Sequence, residues 1–391
     1  MNTIIISAVN LTEGGTLSIL KSFLQALSMS ELSNIYRVIA LVNNKDKILY
    51  PNIEYIELSN IYRVIALVNN KDKILYPNIE YIELPKAKKR WLYRIYYEYF
   101  YFKKISNQFD VYLWLSLHDM SPNVKARRRA VYMHNPSPFF RWKVKDVFLS
   151  KKYVFFAMFY KWAYRINIHQ NDYLIVQQDW LRKAFGEMFK VDQKKIIVAR
   201  PYHEEIDSKE RNSVSTLPFT FFFPALARPF KNFEVICEAV IILNKLNIKN
   251  FRVVLTIDGT ENSYSNHILE KYKSVLNIEF VGLLRMEQMH DMYLKTDVLL
   301  FPSKLETWGL PISEFKEYRK PMIIADLEYA HETSEGSLCT AFFDVNSPQM
   351  LAELMIDAIN DNYIKFSTVP YKKVASPYVV SYYDLMLLLL K

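Results

Sequence analysis

The stretch Ser303–Glu314, SKLETWGLPISE, holds two carboxylates, Glu306 and Glu314, around a glycine and a proline. It follows a buried-strand pattern, DVLLFPS, and leads into a helical one. Pro311 suits the first helical position, where a missing N–H costs nothing, and Glu314 then falls in the first turn. The backbone N–H groups of Gly309, Leu310 and the next residues would point beyond the strand ends as an anion site. Gly309 would let a ligand approach the backbone, and Glu306 would project from the loop. Carboxylates around an anion site fit a ligand with both phosphates and vicinal hydroxyls, and a nucleotide sugar has both. The alternative for Glu314 is a carboxylate that only complements a helix dipole.

In FFFPALARPFKNFEVICEA (221–239) a strand ends at Pro224, a loop carries Arg228 and Lys231, and a helix begins near Asn232. Two cations at the C-terminal edge of a parallel sheet can neutralise a diphosphate leaving group; the alternative is a solvated pair. Gly14 and Gly15, two of the seven glycines, sit between the first strand and the first helix. They would admit a phosphate or an acceptor to the backbone, although a full GxGxxG is missing. VYMHNPSPFF sets His134 just beyond a strand end, where the alternative is a core histidine. His118 and Asp119, in SLHDMSPN, also follow a strand and would line an acceptor side. No D-x-D occurs and no His/Cys/Asp cluster has metal-ligand spacing, so no residue is assigned to a metal.

Such loops need strands to carry them. The runs Thr3–Val9, Tyr36–Val42, Ile53–Ile56, Val111–Leu117, Ala130–Met133 and Tyr173–Val176 are short, apolar and unalternating, as in parallel strands covered on both faces. Phe219–Phe223, Phe251–Ile257, Ile278–Val281, Val298–Phe301 and Met322–Ile324 repeat the style. Helical stretches such as Phe233–Leu246 and Met286–Lys295 separate them, so two doubly wound α/β domains are expected. The polar stretch Tyr202–Leu217 reads as the linker. The expected boundaries are an acceptor-side domain over 1–205, a nucleotide-sugar domain over 206–375 and a terminal helix over 376–391 that crosses back to the first domain. Residues 31–58 are identical to residues 57–84. Two copies do not make a solenoid. A hybrid is expected, with the entering strand from copy one, the exiting strand from copy two and residues near 45–78 looped out. That would expose the apolar run Ile65–Val68.

The 391 residues are 51% apolar and 23% charged, which fits a folded chain of two domains. Two cysteines without metal spacing fit a reducing cytosol. The start MNTIIISAVN has no basic n-region, and no apolar run reaches spanning length. The net charge of +9 invites nucleic acid or an anionic membrane surface as partner. Its location favours the membrane. Segment 86–104 mixes seven Lys/Arg with eleven apolar or aromatic residues, and segment 139–168 repeats the style, as at a lipid headgroup layer. RNA-recognition and zinc-finger signatures are missing, so no nucleic-acid partner is expected.

With VGLLRMEQMHDMYLKTDVLLFPS before it and FKEYRKPMIIAD after it, the Glu306–Glu314 stretch resembles the C-terminal domain of glycosyltransferase family 4 (group 1), whose E-x7-E motif aligns on these two glutamates. The resemblance runs over essentially the whole chain and is strongest over 219–345. It implies a GT-B fold, two Rossmann-like domains facing across a cleft. It also implies that Glu314 holds the ribose hydroxyls, that Glu306 meets the transferred sugar and that Arg228 and Lys231 form the phosphate loop. These cations stand closer together than in many members. His134 would contact the donor sugar, and Gly14-Gly15 match the first-loop pair. The implied activity is retaining, metal-independent transfer from a nucleotide-diphosphate sugar to a glycan or polyprenyl-linked acceptor. The expected setting is surface polysaccharide (O-antigen or capsule) synthesis at the inner face of the cytoplasmic membrane. The competing reading is a catalytically impaired sugar-nucleotide-binding protein that carries a disruptive duplication.

Overall fold

The computed structural model describes residues 2–7, 62–68, 80–83, 91–140, 151–201 and 218–391. The chain divides into two compact units. The first comprises Met1–Pro138, Met158–Tyr202 and Val374–Lys391; the second comprises Phe139–Ala157 and His203–Lys373. Gly14, Gly15 and the linker stretch Tyr202–Leu217 lie outside the described residues.

Among the described residues, the first unit contains a sheet of eight strands: β1 (Asn2–Ser7), β2 (Tyr62–Val68), β3 (Glu80–Glu83), β4 (Val111–Ser116), β5 (Arg128–Tyr132), β6 (Tyr173–Val176), β7 (Ile196–Ala199) and β14 (Tyr378–Val379). Their order is β14-β7-β6-β5-β4-β1-β2-β3, and every pair is parallel. From β1 the chain steps outward through β2 and β3, then returns to place β4 on the other side of β1. The order reverses between β1 and β4, the point where open α/β sheets bind ligands. Ile4, Ile5, Ile6, Leu113 and Leu115 are buried, and the helix Tyr382–Leu390 adds Tyr382, Leu385, Met386 and Leu389 to the same core. Tyr112 Oη and Arg128 donate to the carbonyls of Leu390 and Leu389 at 3.1 Å each, which satisfies the open end of that helix.

Both β2 and β3 come from the second copy of the duplicated segment, which corrects the hybrid expectation. Tyr62–Val68 pairs with β1 on one side and β3 on the other, so Ile65–Val68 is in the sheet and not looped out. A strand pair drawn from one copy closes a shorter connection than a hybrid pair, and closure entropy grows with length. Copy one lies outside the described residues.

The second unit's described sheet has six strands: β8 (Phe219–Phe223), β9 (Phe251–Leu255), β10 (Ile278–Phe280), β11 (Val298–Phe301), β12 (Met322–Ala325) and β13 (Thr340–Phe343). They are parallel in the order β10-β9-β8-β11-β12-β13, and the reversal falls between β8 and β11. Phe221, Phe222, Phe223, Phe233 and Phe301 are fully buried, each worth roughly 1.5–3 kcal/mol relative to exposure. Phe223 packs on Phe233 and Phe301 at centroid distances of 4.9 and 5.7 Å, which fixes the helix Phe233–Lys245 and β11 around the reversal point. No helix among the described residues is long and apolar enough to cross a membrane.

Candidate active site

In the second unit, two loops leave the sheet at the β8/β11 reversal. After β8, Arg228 is extended and the short helical turn Pro229–Lys231 follows, ending at Asn232 with φ +62°. The cations thus stand one tight turn apart, where residues three positions apart lie on one side. The Lys304 N–H donates to the Phe230 carbonyl at 2.7 Å, joining the two loops. The buried Asn232 donates its amide to the carbonyls of Pro302 (3.3 Å) and Val345 (2.8 Å), so one side chain holds the loops after β8, β11 and β13. Tyr329 Oη donates to the Ser303 carbonyl at 2.6 Å.

This scaffold brings Lys231 and Glu306 into an ion pair, each side chain about one-seventh exposed (14% and 13%). The Lys231 Nζ also lies 5.6 Å from the Phe301 ring centre and 5.9 Å from that of Phe230. Arg228 is exposed, its guanidinium 5.9 Å from the Phe230 ring centre. Among the described contacts, neither Arg228 nor Glu314 joins the Lys231–Glu306 pair.

Glu314 sits on the helix Leu310–Lys316, with Gly309 before it at φ +90°. Because the helix begins at Leu310, Pro311 is its second residue and Glu314 its fifth. This corrects the expected first position and first-turn placement. Dipole complementarity fades beyond the first turn and does not explain Glu314. Its Oε2 accepts from Tyr293 Oη at 2.8 Å. Burial pushes the Glu314 pKa up, and the Tyr293 hydrogen bond pulls against that.

The first unit gathers its polar groups at its own reversal point. The Leu117 N–H donates to the Ser7 carbonyl at 2.7 Å, tying the exit of β4 to the end of β1. Ser7 Oγ and His118 Nε2 are 2.7 Å apart. On its other edge, His118 Nδ1 lies 3.1 Å from Glu98 Oε1. Arg94 donates to the His118 carbonyl (2.6 Å) and to Tyr160 Oη (2.9 Å). Ser7, Glu98 and His118 are all buried. Burial, and then the Arg94 charge, drive the His118 pKa well below its ordinary value. Burial pushes the Glu98 carboxyl up to about 8 against the pull of Arg94.

Asp119, with φ +69°, turns its carboxylate to the loop after β5. Oδ1 accepts from the backbone N–H groups of His134 (2.6 Å) and Asn135 (2.9 Å) and lies 3.0 Å from Tyr164 Oη. Oδ2 lies 3.1 Å from His134 Nε2, with the His134 side chain 13% exposed. Burial lowers the His134 pKa, Asp119 raises it and Arg94 lowers it further; the net direction is downward. His118 and His134 thus share a neighbourhood through Arg94 and Asp119.

Sequence reasoning missed Asn232, Tyr293, Ser7, Arg94 and Glu98 as positioning groups. Glu98 carried a signal, being the lone acid in a basic aromatic stretch. Asn232 stood where a helix-capping residue belongs, although its side chain holds the neighbouring loops and makes no cap hydrogen bond. Tyr293 carried none.

Residues 204–373 match the family described as glycosyl transferases group 1. A search by sequence among curated proteins gives no match. Solved structures resemble the chain over nearly its full length. Sucrose-phosphate synthase from Thermosynechococcus elongatus superposes with a TM-score of 0.59 at 14% identity, covering 93% of this chain and 90% of that one. WaaG, a glycosyltransferase of lipopolysaccharide biosynthesis, gives 0.60 at 12% identity, covering 91% and 90%. Anabaena HepE, solved with UDP-glucose, gives 0.55 at 12%, covering 92% and 90%. These likenesses establish a GT-B fold of two Rossmann-like α/β domains.

Proposed function

Because residues 204–373 match the group 1 glycosyltransferase family, we propose that the chain is a retaining transferase that moves a sugar from a nucleotide-diphosphate sugar to a glycan or lipid-linked acceptor. The observation that carries this reading is the Lys231–Glu306 ion pair at the β8/β11 reversal. A diphosphate competes with Glu306 for Lys231, and its arrival frees the carboxylate to accept hydrogen bonds from sugar hydroxyls. Arg228, exposed one turn away, adds the second positive charge. Together they balance charge on the departing diphosphate without a metal ion. Glu314 takes the ribose hydroxyls, while Gly309 and Leu310 present backbone N–H groups at the start of its helix.

No protein nucleophile is assigned. The acceptor oxygen bonds to the anomeric carbon on the face that the diphosphate leaves, and the carbon–oxygen bond to phosphate breaks. The acceptor's proton passes to the departing phosphate oxygen. His134 orients the sugar, and His118 belongs to the acceptor side. The HepE complex with UDP-glucose supports a nucleotide sugar as donor.

The acceptor is assigned to an anionic inner-membrane surface. Leu92, Tyr96 and Phe100 are 77%, 52% and 66% exposed, and the rings of Tyr96 and Phe100 stack at 6.3 Å, an apolar face flanked in sequence by lysines. Surface polysaccharide synthesis is the process this assignment fits.

Calorimetric titration of UDP, GDP, ADP and dTDP in EDTA tests the donor site. One diphosphate should bind wild type in the micromolar range, with binding lost in Glu314→Ala. A folded protein that binds none of the four would sink the reading. Binding without turnover would favour the impaired sugar-nucleotide-binding protein.

A further inference from the structure

The segment that carries Glu314 grips Tyr293 at both ends. Glu314 Oε2 accepts from the Tyr293 hydroxyl at 2.8 Å. Farther along the same segment, Lys320 Nζ donates to the Tyr293 carbonyl at 3.2 Å, and to those of Leu294 at 2.6 Å and Thr296 at 2.7 Å. The need for these three bonds follows from how the helix Met286–Lys295 ends. It passes into β11 through Thr296 and Asp297, with Thr296 already extended (φ −83°, ψ +131°), so no left-handed glycine closes its last carbonyls. Such carbonyls take partners from elsewhere. Thr296 Oγ1 serves Met292 at 2.7 Å, and the Thr296 N–H reaches the Tyr293 carbonyl only at 3.4 Å. An ammonium has three N–H groups and can serve three carbonyls at once. Burial lowers the Lys320 ammonium to about 8 against the pull of the Asp297 carboxylate, so it keeps all three protons at neutral pH.

The Tyr293 ring packs on Phe315 and Tyr318 at centroid distances of 5.6 and 5.5 Å, which limits its sideways movement. The reach of its hydroxyl toward Glu314 depends on the main chain behind the ring, and that is what Lys320 holds.

We propose that Lys320 is a positioning residue of the donor site: by fixing the last turn of the helix Met286–Lys295 it holds the Tyr293 hydroxyl on Glu314 and keeps that carboxylate ready for the ribose hydroxyls. The ribose contact rests on the transferase reading; the link from Lys320 through Tyr293 to Glu314 stands on geometry alone.

NMR titration of Glu314 in the ligand-free chain, with labelled glutamate and the resonance assigned through Glu314→Gln, reads the link directly. Tyr293→Phe should raise the Glu314 pKa by about one pH unit, the effect of one hydrogen bond to a charged group. Lys320→Met should raise it by part of that amount. Added to Tyr293→Phe, Lys320→Met should raise it no further, because the hydroxyl it acts through is gone. A Glu314 titration in Lys320→Met that matches wild type overturns the proposal. So does a shift that persists in the double variant, which is the direct effect of a lost positive charge. Lys320 is only partly buried, so water can reach the exposed carbonyls and the fold should survive. If the Met variant does not fold, Lys320→Gln, too short to span the three carbonyls but still polar, takes its place with the same expected shifts.

Calorimetry carries the link to binding. The nucleoside diphosphate that binds wild type should bind Lys320→Met several-fold more weakly, and the double variant no more weakly than Tyr293→Phe alone. Equal affinity for Lys320→Met and wild type removes Lys320 from the donor site. If none of UDP, GDP, ADP and dTDP binds wild type, the transferase reading fails, while the Glu314 titration still decides whether Lys320 positions the carboxylate.

Discussion

A β-carbon added at Gly309 would meet Ile312 at 3.4 Å and Phe301 at 3.5 Å, ordinary contact distances. Crowding therefore does not require the glycine; the backbone does, because φ is +90° at the residue that launches the Glu314 helix. Gly309→Ala should cost about 1–2 kcal/mol, the left-handed penalty for a residue with a β-carbon, measured by urea denaturation. A change near zero would mean that the turn relaxes. Tyr293 makes a second residue-scale case. Its hydroxyl holds the Glu314 carboxyl down against the upward push of burial. In Tyr293→Phe the Glu314 pKa should rise further. The carboxylate that accepts ribose hydroxyls would then be lost at a higher pH, and the acid limb of nucleoside diphosphate binding should move upward. Calorimetry across pH checks the sign; an unmoved limb would separate Tyr293 from the site. The spacing of Glu306 and Glu314 was legible because strand, loop and helix are contiguous in sequence. The Tyr293–Glu314 contact was not, since it is made between two helices by packing.

At the scale of elements, the helical stretch Trp91–Tyr96 passes through a π-helical turn, Tyr97–Tyr101, and resumes as Phe102–Ser106. That turn buries Glu98 beside His118 while leaving Tyr96 and Phe100 exposed. Nothing in the sequence announces a π-helical turn, although its mixture of aromatic and basic residues was legible. Burial raises the Glu98 carboxyl from 4.5 to about 8, so the folded state keeps a proton that the unfolded chain has released. Its contribution is fully present below pH 4.5 and is lost as pH rises toward 8. His118, pushed well below 6.5, acts in the opposite sense: its contribution is present above 6.5 and is lost as pH falls through the lower folded value. Between pH 6.5 and 8 the Glu98 term therefore stands without an opposing change from His118. Glu98→Gln should flatten the decline of melting temperature across that window, and an unchanged slope would refute the assignment. The exposed face of the same stretch carries its own prediction. Replacing Leu92, Tyr96 and Phe100 by serine should weaken co-sedimentation with anionic vesicles several-fold, and added salt should weaken the wild type. Vesicle binding that survives all three changes would move the membrane surface elsewhere. The apolar runs located most strands within two residues at either end; β7, β13 and β14 were not among them, and length alone does not separate β7 and β13 from the equally short β6 and β11, which were.

For the whole molecule, each sheet reverses its strand order once and places a polar pair across the reversal: Ser7 and His118 between β1 and β4, Lys231 and Glu306 between β8 and β11. The doubly wound class was legible because parallel strands covered on both faces read as apolar runs. The use made of the duplicated segment was not, because two identical copies carry no information about which one pairs. Among the described residues, β2 and β3 both come from the second copy. Identical tandem copies also make the test simple: deleting residues 31–56 or residues 57–82 leaves the same sequence. The single-copy chain keeps every residue type of both strands and roughly halves the chain between β1 and β2. Halving a connection changes closure entropy by only about 0.6 kcal/mol. The variant should therefore unfold at an equal or slightly higher urea concentration and bind the same nucleoside diphosphate with unchanged affinity. Loss of binding with the fold intact would show that the extra copy takes part in the site. Loss of the fold would show that the first copy packs against the sheet, a role its identity with the second does not require.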